Sequence, residues 1–170
     1  MFYHYKISKS TKGGYYSFKT KNEINYRCFF SQIESKNDLL GFEIKSEVFY
    51  FSFNRKKKGE NVIFDRQVGR TVAEILNRFF KRNPQSIICY ICDNNDLKAI
   101  KRQGSFTRWL KANNIEPKKT LIKGEIASLI YVGAIMLNQH SEKDKIQSYF
   151  EKELKDFNES EKTGNIEIIE

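Results

Sequence analysis

Little in this sequence breaks a regular backbone. The chain of 170 residues has two prolines, Pro84 and Pro117, so most of it is free to enter helices and strands. Two histidines, His4 and His140, and three cysteines, Cys28, Cys89 and Cys92, leave few metal ligands of the soft kind. No apolar run approaches the roughly 18 residues that span a bilayer. The opening residues Met1–Lys6 lack the charged and then apolar order of a signal peptide. These absences predict a cytoplasmic protein without a membrane partner.

What is abundant is aromatic. Fourteen phenylalanines and nine tyrosines stand against one tryptophan and two methionines, and such residues favour strands. Extended patterning covers Phe2–Ser8, Tyr15–Thr20, Ile24–Gln32 and Glu47–Asn54. Gly13-Gly14 offers a hairpin turn after the first of these, and Lys21-Asn22 a turn after the second. In the third, Ile24, Tyr26, Cys28 and Phe30 share a face. In the fourth, Phe49, Phe51 and Phe53 oppose Val48, Tyr50 and Ser52. Val62-Ile63-Phe64 reads as a strand tail. Asp65 then offers a cap for a helix whose apolar positions, Val68, Val72, Ile75, Leu76, Phe79 and Phe80, form one stripe. Asn83-Pro84 ends it.

Ser86–Cys92 is short, apolar and β-rich, and predicts a central strand buried on both faces. A helix from near Leu97 follows, broken by Gly104, with Ser105 capping a second piece that carries Phe106, Trp109 and Leu110. Thr120–Lys123 and Ala127–Leu137 read as two more strands joined near Gly124-Glu125, with a bulge at Gly133. A final helix runs from about Glu142 to Phe157. Residues 158–170 read as a polar, acidic, mobile tail, or as a short segment that docks on a partner. The expectation is one α+β domain over residues 1–157. Its sheet is mostly antiparallel, made of an N-terminal meander, one central buried strand and two later strands. About three helices pack largely on one face.

The net charge of +9 is uneven. Residues 55–82 carry nine basic and three acidic groups, and residues 97–123 carry eight and one. Residues 139–170 carry five and nine. Basic charge thus flanks the central strand and acidic charge gathers near the C-terminus. Candidate contacts to a polyanion are Arg55, Lys56, Lys57, Lys58, Lys98, Lys101, Arg102, Arg108 and Lys111, with Lys118, Lys119 and Lys123 nearby. Lys and Arg neutralise phosphates, and a neighbouring aromatic can stack on a base. Phe106 and Trp109 are the nearby rings, although core packing is the better reading of Trp109.

Asp93 and Asp96 leave the central strand where α/β sheets place ligands, and could hold a divalent metal. The same Asp93-Asn94-Asn95-Asp96 stretch is ordinary turn and capping chemistry, which is the favoured reading. Asp65 could join them if its helix starts beside that strand end. Cys89 and Cys92 form a C-x-x-C, but strand alternation points them to opposite faces, so buried reduced thiols are expected. His140 could pair with Asp93 in proton transfer, yet no nucleophile motif accompanies it. No catalytic residue and no cofactor is assigned.

Arg66-Gln67-Val68-Gly69-Arg70-Thr71-Val72 opens the first helix and Arg78-Phe79-Phe80 closes it. The strand Cys89-Tyr90-Ile91-Cys92-Asp93 with Asp96 follows, then Arg102 and Phe106-Thr107-Arg108-Trp109. This run resembles an uncharacterised bacterial family, the domain of unknown function numbered 6169, most strongly over residues 65–110. The resemblance implies no activity and no site residues. The expected function is that of a small binding or accessory protein, contacting nucleic acid or an acidic protein through a basic surface. Two alternatives are a metal-dependent enzyme acting on phosphates through Asp93 and Asp96, and a protein-interaction module or oligomer built on apolar strand surface.

Overall fold

The computed structural model describes residues 1–10, 13–33, 44–55, 65–93, 98–112, 119–126, 130–161 and 166–169. Among these, the strands are β1 (Tyr5–Ser10), β2 (Gly13–Lys19), β3 (Asn25–Gln32), β4 (Val48–Arg55), β5 (Ile87–Asp93), β6 (Lys119–Ile126), β7 (Ile130–Leu137) and β8 (Ile166–Ile169). The helices are α1 (Arg66–Arg82), α2 (Ala99–Ala112) and α3 (Lys143–Glu161). All eight strands join one sheet in the order β1-β2-β3-β4-β5-β7-β6-β8. Only the β4–β5 junction is parallel. The fold is α+β with a mostly antiparallel sheet.

Alternation in the strands sorts their side chains into two layers. Tyr26, Cys28 and Phe30 of β3, Phe51 of β4 and Ile88, Tyr90 and Cys92 of β5 enter one core, with Val72, Ile75, Leu76, Phe79 and Phe80 of α1 and Phe106 of α2. Val48, Ile87, Cys89, Ile122, Ala134 and Met136 enter a second, with Ile146, Phe150 and Leu154 of α3. So α1 and α2 cover one face of the sheet, and α3 covers part of the other.

This division follows from chain direction. The connections β4-α1-β5, β5-α2-β6 and β7-α3-β8 all step the same way across the sheet. Because β7 runs antiparallel to β5, a common crossover hand puts α3 on the face opposite α1 and α2. A sheet strand that is buried on both sides needs this second cover.

Local details differ from the sequence reading in four places. Gly13 and Gly14 lie inside β2, paired with Ser31 and Phe30, so the hairpin connection falls on residues 11 and 12, outside the described residues. Gly104 does not break α2, which runs through it; Ser105 donates to the Lys101 carbonyl instead of capping a new turn. Gly133 pairs with Tyr90 in an unbroken ladder, and the Tyr90 ring lies where a Gly133 side chain would be. Residues 158–161 continue α3, and Ile166–Ile169 pairs antiparallel with β6. The Val62–Phe64 strand tail lies outside the described residues.

One helix crossing is set by a glycine. A Cβ at Gly69 would overlap the Trp109 ring, so α1 and α2 can meet there only without a side chain. Trp109 also packs edge-on to Phe53 at 5.6 Å and tilts against Phe106 at 5.4 Å. Phe106 in turn stacks on Tyr90 at 4.5 Å. By contrast, a Cβ at Gly104 meets nothing within 4 Å. Two alanine substitutions in neighbouring helices should therefore have opposite signs. Urea denaturation should show Gly69→Ala destabilised by about 1–3 kcal/mol through overpacking. Gly104→Ala should be stabilised by about 0.5–1 kcal/mol through helix propensity. Equal midpoints for the two variants would show that the Trp109 ring does not rest on Gly69.

Candidate functional site

β4 ends at Arg55 and its parallel neighbour β5 ends at Asp93, so both strands finish toward the same end of the sheet, and α1 starts at Arg66. The sequence suggested that Asp65 could lie beside Asp93 there. The carboxylate of Asp65, however, has structural employment. Its Oδ1 accepts from the Gln67 N–H at 2.9 Å, capping α1. Its Oδ2 accepts from the Tyr3 hydroxyl at 2.7 Å. The Tyr3 N–H donates to Thr71 Oγ1, and that hydroxyl donates to the Gln67 carbonyl. The N-terminal segment is thereby tied to the first turns of α1. Burial and the Asp65 hydrogen bond both push the Tyr3 phenol above its ordinary pKa.

Asp93 closes β5, in register with Ile130. Asp96 lies outside the described residues, as do Lys56, Lys57 and Lys58. Among the described residues, no group of three or more His, Cys, Asp and Glu side chains is placed to hold a metal ion. Cys28, Cys89 and Cys92 form no disulfide and are buried. Cys89 and Cys92 sit in different core layers, as alternation required. Burial pushes the Cys89 thiol up to about 12 and Cys28 higher still, which leaves both as unreactive thiols at neutral pH.

His140 is buried beside α3 rather than near Asp93. Its Nδ1 accepts from the Glu142 N–H at 3.1 Å, which leaves Nε2 protonated to donate to the Gln85 carbonyl at 3.2 Å. Both ring nitrogens are thus committed to holding the β7–α3 turn against the turn before β5. Glu142 anchors a further segment. Its carboxylate accepts from the Lys45 N–H, the Ser46 N–H and the Ser46 hydroxyl. Burial alone would raise its pKa, but these hydrogen bonds outweigh burial and the net direction is down.

The basic residues are placed less symmetrically than the sequence implied. Arg55 ends β4 and is half-buried near Tyr26, whose phenol is raised by burial and lowered in part by the Arg55 charge. Lys98, Lys101 and Arg108 are exposed along α2, and Arg102 is half-buried there. Lys111 belongs to α2 by its backbone. α1 is basic as well: Arg66, Arg70, Lys81 and Arg82 are exposed on it. Their signal was present as the basic positions off the apolar stripe, spaced to share the helix's outer side. Arg78, on the same helix, lies over the Tyr5 ring at 6.0 Å.

The family of unknown function (DUF6169) matches residues 64–152, just over half of the chain. No curated protein and no solved structure matches. The matched part covers α1, β5, α2, β6, β7 and the first half of α3. No described helix is long and apolar enough to cross a membrane.

The Glu142 contacts make a pH prediction. Its carboxyl has a lowered pKa in the fold, so its stabilising contribution is fully present above the unfolded value of about 4.3. That contribution fades as pH falls through the lower folded value. Glu142→Gln should cost about 1–3 kcal/mol at neutral pH. It should also flatten the acid limb of a stability-versus-pH curve. An unchanged acid limb would show that Glu142 does not bind the 44–46 segment as an anion.

Proposed function

The chain belongs to this family of unknown function, membership brings no activity with it, and we propose from the chain's own surface that it is a binding protein for a polyanion, nucleic acid foremost. One observation carries the proposal: charge is divided between the two sides of the sheet. The two strongly basic segments, residues 55–82 and 97–123, contribute α1 and α2, which lie together on one face. The acidic segment, residues 139–170, contributes α3 on the other. The exposed side of the α1–α2 layer presents Arg66, Arg70, Lys81, Arg82, Lys98, Lys101 and Arg108.

A polyanion approaching such a molecule is drawn to the α1–α2 layer and repelled by α3. Phosphate contacts by flexible Lys and Arg side chains supply affinity without a sequence code. Trp109 takes no part as a stacking platform here, since its ring is engaged with Gly69, Phe53 and Phe106. An acidic protein surface would meet the same charges.

The test is salt dependence. Fluorescence anisotropy with a labelled duplex should show affinity falling steeply with ionic strength, with a log–log slope of about −0.9 per phosphate contacted. The double variant Lys101→Ala, Arg108→Ala should bind more weakly and reduce that slope by about two. No binding at low ionic strength would remove nucleic acid as the partner.

A further inference from the structure

Among the described residues, helix covers only about half of the side of the sheet opposite α1 and α2. Over β5, β6 and β7 this side packs on α3. Over β1–β4, no described helix covers it. Cross-strand register lays out what this part presents. One row runs Ser8, Tyr15, Phe29, Ser52 across four strands. The neighbouring row runs Lys6, Ser17, Arg27, Asn54. The two rows lie about 7 Å apart along the strands.

Tyr15 and Phe29 are half-buried, with ring centroids 5.5 Å apart and planes tilted by 38°. The Arg27 guanidinium lies 5.4 Å from the Tyr15 ring centre. Ile91 of β5, on the same side of the sheet, is 51% exposed. The two rings support the sheet by pairing across neighbouring strands, and the part of each left uncovered faces away from the α1–α2 core. Charge selects among occupants. Lys6 and Arg27 give the polar row a positive sign, Lys19 and Glu23 neutralise each other at its edge, and Asp93 lies at the end of β5.

We propose that this open face of β1–β4 binds an unpaired strand of nucleic acid, with bases stacked on Tyr15 and Phe29 and the backbone held by Arg27 and Lys6. Stacking needs only a π face on the base, and serine and asparagine side chains in both rows offer hydrogen bonds to base edges. A duplex cannot use the site, because its bases are already stacked on each other. The site is separate from the α1–α2 layer and does not depend on it.

The probe is a fluorescein-labelled oligothymidylate of roughly twelve nucleotides, long enough to cross the four strands. Duplex DNA of equal length and inorganic polyphosphate serve as comparisons. The full chain should bind the single strand more tightly than either. Tyr15→Leu with Phe29→Leu keeps apolar volume and removes both π faces. It should weaken single-strand binding by about tenfold per ring and leave the salt slope unchanged. Trp109, on the far side of the sheet, reports by its fluorescence that the variant is folded.

Lys101→Ala with Arg108→Ala should change the salt slope and keep the preference for single strand, so failure of the basic helical face and failure of this site are told apart. A measurement on the unaltered chain stands beside these: saturating oligothymidylate should shift the Tyr15 and Phe29 ring resonances. Unshifted rings, equal affinity for the three probes, or undiminished binding by the folded leucine variant would each overturn the proposal. So would a dimer that the leucine variant dissociates, since a second copy would then cover the face.

Discussion

The side chains of β5 need cover on both sides of the sheet at once. Ile88, Tyr90 and Cys92 point into the α1–α2 layer, while Ile87 and Cys89 point into the α3 layer. Neither layer alone would satisfy the strand, because leaving either row in water would forfeit about 1.5–3 kcal/mol for each large side chain. The three crossovers meet this need without reversing their hand. The strand's neighbours are chosen to fit: Gly133 makes room for the Tyr90 ring, and Phe106 closes over it from α2. The one cost in this arrangement is the Tyr90 hydroxyl, which is buried with no hydrogen-bond partner among the described residues.

Much of this was legible in the residues. The α1 stripe, the Asp65 cap and the Asn83 stop rest on local periodicity and capping, and each is where the pattern put it. The β3 and β4 alternations are equally local, and so is the burial of β5 on both faces. That last reading implied cover on the second side too, while two of the three described helices lie on one side, as expected. What decides the face of α3 is the direction of β7, a long-range pairing that no window of sequence contains. Gly104 illustrates the other limit. Its weak helix propensity costs about 1 kcal/mol, less than Ala99 and Phe106 recover by packing on either side of it. The Ile166–Ile169 strand is four residues long, and its partner lies some forty residues earlier in the chain.

The candidate site was legible in charge but not in place. Segment counts found the two basic stretches, and topology laid them on one face of the sheet. The α1 cations are legible as positions off the apolar stripe; what the sequence does not say is that α1 and α2 share one side of the sheet. Asp65 and His140 looked chemical as isolated letters. In the fold each is consumed by hydrogen bonds that position a helix start, which is the commonest fate of a polar side chain near a chain reversal.

The β4–β5 junction is a seam. It joins two halves of the sheet through only three register pairs, Val48–Ile87, Phe49–Ile88 and Tyr50–Cys89, and the family match begins just after the strand on its N-terminal side. What splices the halves is not this short ladder but α1. Phe79 stacks on Phe30 at 4.5 Å and meets Phe49 edge-on at 5.0 Å, while the same helix shares a core with Ile88 and Tyr90. The helix acts as a bolt through two plates. The fold therefore asks of the aromatic meander only that its inward rings receive Phe79, which leaves its outward face to be set by what it binds.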